Sequence, residues 1–259
     1  MSEDAPPAGG SSQPSPQPTP EPTPTPPGSS VAALAGYWRG GASDEHDGDA
    51  LRDATAFIDV QGDMHLVVDG EDGSDFLVYG NVCCATDVDE KVAGARYLKD
   101  GSDSADFTAS FKDGRLTGVF EFRERTYHFS VTPDGAYHQS LALQHLAGVY
   151  TRTFSQQFGS PLTLSVAIDA TGRVSGSYSN GCVLDGSASI ADASRNMVRF
   201  DLQIENCGTQ ASSSRRWNGH YSGLGVLLRN APAPDGLRED TLLFSLVGPT
   251  WLGLISIGK

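Results

Sequence analysis

Apolar side chains recur at every second position along much of this chain, and this period constrains the fold more than any other feature. In residues 107–111, 116–122 and 127–131 the apolar residues alternate with polar ones. A period of two places alternate side chains on one face of a β-strand, so each run predicts a strand with one buried face. No stretch of ten residues has clear helical periodicity. Residues 136–148 come nearest and predict a short helix or turn.

Turn sequences separate these runs. Lys112-Asp113-Gly114 predicts a tight hairpin, because Gly114 can adopt the positive φ that such a turn requires. Residues 132–135, TPDG, and 169–172, DATG, predict further turns, the second between strands at 162–168 and 174–178. Short strands at this spacing predict an all-β protein made of antiparallel β-barrels or β-sandwiches.

Several segments have an echo about a hundred residues later, in the same order. The matched segments are 34–38 with 146–150, 57–66 with 166–176, 79–83 with 178–182, and 115–122 with 220–228. We therefore predict two tandem, related domains, residues 34–145 and 146–259, each of a normal domain size of roughly 110 residues.

Residues 1–33 belong to neither domain. They consist almost entirely of Pro, Thr, Ser, Gly and Gln, and such a composition cannot bury enough apolar surface to offset the entropy of ordering. Dense proline favours a stiff, extended chain, so this segment is interpreted as a disordered spacer. A ligand for a proline-binding domain and an unselected tail are the alternatives. We also expect that the natural N-terminus is processed and carries a lipid anchor.

The charge of the chain is concentrated in the first domain. Residues 34–145 contain 21 Asp and Glu against 9 Lys and Arg, a net charge of −12, whereas residues 146–259 contain 8 against 9, a net charge of +1. A strongly anionic domain argues against binding to nucleic acid or to an anionic membrane surface. It is compatible with a basic protein partner, with divalent cations, or with solubility alone.

Two acidic segments are the candidate partner-binding sites of the first domain. Their carboxylates are Asp44, Glu45, Asp47 and Asp49 in the first, and Asp69, Glu71, Asp72 and Asp75 in the second. Neither segment has the spacing of a helix-loop-helix calcium site, so no metal is assigned to them. In the second domain, Arg215, Arg216 and Trp217 form the best candidate for an exposed aromatic contact. Trp38, Tyr221 and Trp251 occur in strand patterns and are expected in the interior.

Cys182 and Cys207 end neighbouring predicted strands, which favours a disulfide between them over two free thiols. A bridge that closes a loop of about 25 residues contributes roughly 3 kcal/mol and indicates an oxidising compartment. Cys83 and Cys84 are adjacent in sequence. They have no such partner, and a vicinal bridge, a buried thiol pair and a link to another chain all remain open.

The sequence contains no motif of a hydrolase, a metalloprotease, a P-loop or a dinucleotide-binding site. His65 and His128 lie in strand patterns, where a packed or half-exposed structural role is expected. No catalytic residue and no cofactor is predicted, and the chain is interpreted as non-enzymatic.

Parts of both domains resemble a recurrent domain type of bacterial envelope lipoproteins. In the second domain the resemblance rests on TLSVAIDATGRVSG, on NGCVLDGSASIADASRNMVRFDLQIENCG and on YSGLGVLL; in the first it rests on LTGVFEFRERTYHFSV. The resemblance implies a secreted or outer-membrane-anchored protein without enzymatic activity. The first domain departs from this type because it lacks the second cysteine.

These observations predict an envelope-tethered interaction protein in the periplasm or at the outer membrane, which contacts the membrane only through its anchor. Its partner is a protein, expected to be basic: a hydrolase that it inhibits, or a secretion or pilus machine of which it is an accessory subunit. The alternative is a carrier in which each barrel holds a small apolar ligand, as in lipocalins. A hydrolase without a recognisable motif is the third hypothesis.

Overall fold

The computed structural model describes residues 34–45, 51–69, 75–82, 87–96, 102–122, 125–154, 161–207, 217–232, 238–249 and 251–259. Sixteen strands account for most of them. The first eight are β1 (Gly36–Asp44), β2 (Arg52–Ile58), β3 (Asp63–Asp69), β4 (Asp75–Asn81), β5 (Asp87–Arg96), β6 (Ser102–Lys112), β7 (Arg115–Phe122) and β8 (Arg125–Pro133). The second eight are β9 (Gly148–Phe154), β10 (Leu162–Ile168), β11 (Arg173–Tyr178), β12 (Val183–Ser189), β13 (Val198–Glu205), β14 (Gly219–Pro232), β15 (Arg238–Val247) and β16 (Trp251–Gly258).

The strands form two antiparallel barrels in tandem, which confirms the predicted fold class. β1 to β8 form the first barrel and β9 to β16 the second, with each strand beside its neighbour in sequence. A 3-10 helix, Gly135–His138, and a one-turn helix α1, Leu143–Leu146, connect the barrels, as predicted for this segment. Among the described residues, no helix is both long and apolar enough to cross a membrane.

The first barrel is closed by a complete ladder between its first and last strands. β1 pairs with β8 at seven positions, from Trp38 opposite Pro133 to Asp44 opposite Tyr127. Gly40 allows the two strands to approach, because a Cβ at this position would lie 2.0 Å from the carbonyl oxygen of Ser130. The predicted hairpin at 112–114 is also confirmed: Asp113 and Gly114 have φ values of 53° and 74°, as a tight turn between twisted strands requires.

Side chains fill the described interior of the first barrel. The inward positions of the alternating strands form one apolar cluster that includes Trp38, as predicted. Phe120 stacks on Tyr127 with ring centroids 4.9 Å apart, and Phe107 stacks on Phe129 at 5.5 Å. An eight-stranded barrel is just wide enough for side chains to occupy its interior, which is the arrangement found here.

The second barrel has a similar interior and is covered at one end by the connecting segment. Leu141 and Leu146 from this segment pack into the interior cluster, which also contains Tyr221 at its expected place. The Tyr150 hydroxyl donates a hydrogen bond of 2.9 Å to the Leu146 carbonyl, four residues earlier. In the first barrel the Trp38 indole donates to the Leu34 carbonyl at 3.1 Å, also four residues earlier.

The closing contact of the second barrel is much shorter than that of the first. Within the described strands, β16 pairs with β9 only where Gly258 lies opposite Thr151. The pairing of β16 with β15 shifts register between Phe244 and Leu246, so that residues 253 and 254 both face residue 245. Such a bulge bends its strand and disrupts pairing. It gives a local reason for β16 to diverge from β9.

The two barrels pack against each other through the outer faces of strands from each. In β3, every residue from Met64 to Val68 is buried, because Met64, Leu66 and Val68 face the barrel interior and the residues between them face the second barrel. Val67 packs in a cluster with Val247, while Tyr37 and Phe57 pack in another with Leu224, Val226 and Leu243. Strands with two buried faces have continuous apolar sequences instead of alternating ones.

Some of the sequence echoes do not occupy equivalent strands. Tyr79 lies in β4, the fourth strand of its barrel, whereas Tyr178 lies in β11, the third strand of the other. Segment 115–122 forms a seventh strand and segment 220–228 lies in a sixth. The alignment of these two pairs is therefore wrong. The pairs 34–38 with 146–150 and 57–66 with 166–176 do occupy corresponding strands.

Candidate docking surface on the first barrel

The strand order brings the two acidic segments to one end of the first barrel. In an antiparallel up-and-down barrel, alternate connections lie at the same end, so the ends of β1 and β3 lie beside the starts of β2 and β4. We call this end the acidic rim. It comprises Glu45, Asp53, Asp69 and Asp75 at the strand ends, and the connecting residues Asp47, Asp49, Glu71 and Asp72, whose structure lies outside the described residues.

Acidic residues of the rim stand opposite one another on neighbouring strands. Asp69 lies directly across from Asp75 in the β3–β4 ladder. Ala54 on β2 pairs with Val68 on β3. The next residues along the two strands, Asp53 and Asp69, are therefore neighbours across β2 and β3. Burial and, secondarily, the nearby Asp53 carboxylate raise the pKa of Asp69 above its ordinary value. Like charges placed this way are destabilising.

Asp44 corrects the predicted set of partner-binding residues. Its side chain is fully buried, and its Oδ2 accepts a hydrogen bond of 2.8 Å from Arg125 Nη1 on β8. A buried carboxylate with this partner is a structural ion pair of the barrel end and is not an exposed contact residue. The prediction that Asp44 binds a partner is therefore wrong.

Glu45 is the remaining described member of the first acidic segment. Its Oε1 accepts a hydrogen bond of 2.6 Å from His128 Nε2, and both side chains are about half exposed. His128 is thus a half-exposed strand histidine, as expected from its sequence context. Glu45 stays accessible at the rim while its partner histidine limits its motion.

A second group of polar residues was not recognised from the sequence and lies between the barrels. Arg199 on β13 forms ion pairs with Asp59 and Asp63 of the first barrel, and the Asp59 side chain is only 1% exposed. Asp59 Oδ1 also accepts backbone N–H bonds from Gln61 and Asp63 within the β2–β3 turn. These contacts fix the turn of one barrel against a strand of the other.

His65 and Ser245 form another contact between the barrels. His65 Nδ1 and Ser245 Oγ share a hydrogen bond of 2.7 Å, which is the distance expected for a nucleophile and its base. Both residues are buried, with 7% and 0% exposure, so no substrate reaches the serine. Burial lowers the pKa of His65 to about 4, because the charged imidazolium is poorly solvated there. We interpret the pair as a structural contact of the interface.

Trp217 is less exposed than its polar sequence context predicts. It is only partly buried, but it packs against the interior cluster of the second barrel, with its ring centroid 5.7 Å from that of Tyr178. The aromatic side chain is therefore shared between the barrel end and solvent, and its role in partner binding stays a prediction. Its neighbours Arg215 and Arg216 lie outside the described residues, as does the side chain of Trp251.

The predicted disulfide is present. Cys182 and Cys207 are bonded across 25 residues of sequence, next to the paired residues Val183 and Glu205 at the ends of β12 and β13. Both cysteines are buried. Cys83 and Cys84 lie outside the described residues, so their three alternatives remain open.

Within the described parts of the chain, no group of three or more His, Cys, Asp or Glu side chains is placed to hold a metal ion. Comparison with known proteins adds no assignment. No protein-family model, no curated protein and no solved structure matches the chain.

Proposed function

We propose that this chain is a non-catalytic docking protein that binds a basic protein partner at the acidic rim. The observation that carries the proposal is topological. Two acidic segments separated by nineteen residues of sequence lie at one barrel end, where Asp53, Asp69 and Asp75 occupy three adjacent strands. Clustered carboxylates at an exposed end attract a cationic partner and accelerate its association.

The point at which the N-terminal segment joins the first barrel is consistent with docking at the acidic rim. The segment enters the first barrel at Leu34, just before β1 begins at Gly36, and β1 ends at the acidic rim. The Pro-rich spacer is therefore attached at the opposite end from the rim. If residues 1–33 tether the chain to the periplasmic or outer-membrane face of an envelope, the rim is directed away from the attachment point.

The barrel interiors favour docking over the carrier alternative. A carrier needs an interior cavity, but aromatic rings in the first barrel stack on one another, and apolar side chains in the second pack into one cluster. Ser245, which shares a hydrogen bond with His65, is buried. This pair therefore offers the hydrolase hypothesis no accessible nucleophile. The outer surface is then the part of the molecule through which it acts.

The same proposal treats the barrels as two copies of one repeated unit. Leu34 with Trp38 and Leu146 with Tyr150 form equivalent hydrogen bonds at the barrel entrances. The turns that contain Gly62 and Gly172 also have matching backbone hydrogen bonds, and in both turns the glycine φ is close to 87°. We infer that duplication supplied the second barrel and that the acidic rim belongs to the first copy alone.

Affinity capture from a bacterial envelope extract tests the docking proposal. The immobilised proteins are the full chain, a rim variant (Asp47→Asn, Glu71→Gln, Asp72→Asn) and a control variant (Asp185→Asn, Asp201→Asn, Glu205→Gln). The control changes three exposed carboxylates of the second barrel, so both variants have the same net charge.

We expect the full chain and the control variant to retain the same basic protein, and the rim variant to lose it. Retention by all three would overturn the proposal, because the partner would then bind elsewhere. Loss from both variants would equally contradict it, because the net charge and not the rim would determine binding.

A further inference from the structure

His65 lies on the outer face of the first barrel and is buried there by the second barrel. In β3 the even-numbered side chains face the barrel interior, so His65 and Val67 face outward. Both are nevertheless buried, because Ser245 and Val247 of β15 lie against this face. We call the contact between these four residues the β3–β15 joint.

His128 shows the environment of a similar histidine that no second barrel covers. It also faces outward from a strand of the first barrel, β8, and its side chain is 48% exposed. Water can therefore solvate the charged imidazolium of His128 but not that of His65. If the two barrels separated, His65 would become an exposed strand histidine of the same kind.

Ionisable groups of both barrels lie near the His65 ring. Asp63 lies two residues earlier on β3, and the ring of Tyr79 on β4 is 6.4 Å from the imidazole. From the second barrel, Arg199 of β13 reaches this region and forms ion pairs with Asp59 and Asp63. Burial outweighs the attraction of Asp63 and, together with the Arg199 charge, lowers the pKa of His65 to about 4.

We propose that the β3–β15 joint is an acid-operated switch, at which protonation of His65 drives the second barrel away from β3 while both barrels remain folded. A proton binds more tightly to the imidazole where water can reach the ring. Falling pH therefore shifts the population from joined towards separated barrels. The ladders and interior clusters of the two barrels do not depend on the charge of this side chain, so separation leaves them intact.

Separation would change which surfaces of the molecule are accessible. The acidic rim and the attachment of residues 1–33 both belong to the first barrel, so the second barrel alone would move, linked through residues 134–147. Apolar faces that the barrels now cover would reach solvent, among them Leu77 of the first barrel and Val226 of the second. Docking at the rim does not involve His65, so the two proposals can fail separately.

Thiol labelling at two neighbouring positions of β3 tests the inference in the full chain. Val67→Cys places a probe in the joint, whereas Leu66→Cys places one on the interior side of the same strand. The rate of labelling by a small thiol reagent is divided by the rate in the urea-unfolded protein at the same pH. Mass spectrometry of the digested protein locates the label at each position.

From pH 7 to pH 5, the normalised rate at Val67→Cys should rise about twentyfold, as follows from a His65 pKa of about 4 when buried and about 6.5 when solvated. At pH 5 it should exceed the rate at Leu66→Cys at least tenfold, because separation of the barrels is more frequent than unfolding. Adding His65→Asn should remove most of the rise, whereas adding the control His128→Asn should preserve it.

Three results would overturn the inference: a rate at Val67→Cys that does not change with pH, equal rates at the two probes, or an undiminished rise in the presence of His65→Asn. Ser245→Cys provides a second probe on the other side of the joint if Val67→Cys fails to fold, because serine and cysteine are similar in size. The same rates and the same pH dependence are expected of it.

Discussion

The two barrels have the same strand number and order, yet different features complete them. The first is closed by seven residue pairs between β1 and β8, and one of its ends carries the acidic rim. The second is nearly neutral, closes through one described pair and carries the Cys182–Cys207 bridge. The comparison teaches that the shared strand order specifies the interior, while closure, charge and cross-links differ between the two barrels. Of these differences, charge is the one to which we assign function.

The largest predicted effect concerns the contact that joins the barrels. Arg199→Ala leaves the buried Asp59 carboxylate without its cationic partner, and loss of one member of such a pair costs about 3–5 kcal/mol. We expect the free energy of unfolding to fall by about 3 kcal/mol, because Arg199 keeps some solvent exposure. Calorimetry should resolve separate transitions for the two barrels.

The control is Arg173→Ala, which removes an exposed partner of Asp185 and should change stability by less than about 1 kcal/mol. If Arg199→Ala has an equally small effect, the ion pairs do not hold the barrels together.

The second prediction concerns the disulfide, which, within the described residues, is a feature of the second barrel and not of the first. Replacement of Cys182 and Cys207 by alanine should lower the free energy of unfolding by about 3 kcal/mol, since the bridge restricts the unfolded chain across 25 residues. Mass spectrometry of the unreduced, digested protein should recover the two cysteine peptides joined. Recovery of both cysteines as alkylated thiols would contradict the assignment.

The third prediction uses the histidine between the barrels. The pKa of His65 is about 4 in the folded protein and about 6.5 in the unfolded chain, so the unfolded chain takes up the proton first as the pH falls. His65 therefore costs no stability above pH 6.5, and stability is lost progressively between pH 6.5 and pH 4.

From these values the loss is about 2 kcal/mol at pH 5. Urea denaturation across this range should show a weaker pH dependence for His65→Asn than for the parent protein, whereas the half-exposed control His128→Asn should leave the His65 contribution in place. An unchanged slope in His65→Asn would show that this histidine does not titrate as described.

The smallest predicted effect is a gain in stability at the acidic rim. Asp69→Asn removes a carboxylate that lies across β2 and β3 from Asp53, and should raise the free energy of unfolding at pH 7 by a few tenths of a kcal/mol. Because the folded-state pKa of Asp69 is raised, the parent should gain stability from this group as the pH falls from neutral, and the variant should not. A loss of stability in Asp69→Asn would mean that other groups of the rim offset the repulsion between its carboxylates.

Particular residues show what the sequence could and could not predict. The alternating runs in β6 to β8 identify their strands, because each has one buried face. His65 and Val67 could not be assigned to an interface, because a strand buried on both sides does not indicate what covers its outer face. Asp44 was mistaken for an exposed carboxylate because its partner, Arg125, is 81 residues away in sequence. The order of acidic segments along the chain could not by itself place them at one barrel end.

The salt dependence of the association rate tests the central claim, docking at the acidic rim, most directly. With the basic protein captured from envelope extract, the association rate should fall steeply as ionic strength rises, because salt screens exposed charges beyond a Debye length of about 8 Å at physiological strength. The rim variant should associate more slowly at low salt and show a shallower dependence, while the control variant of the second barrel should follow the parent. If the parent and the rim variant have the same rate at every salt concentration, the acidic rim is not the docking surface.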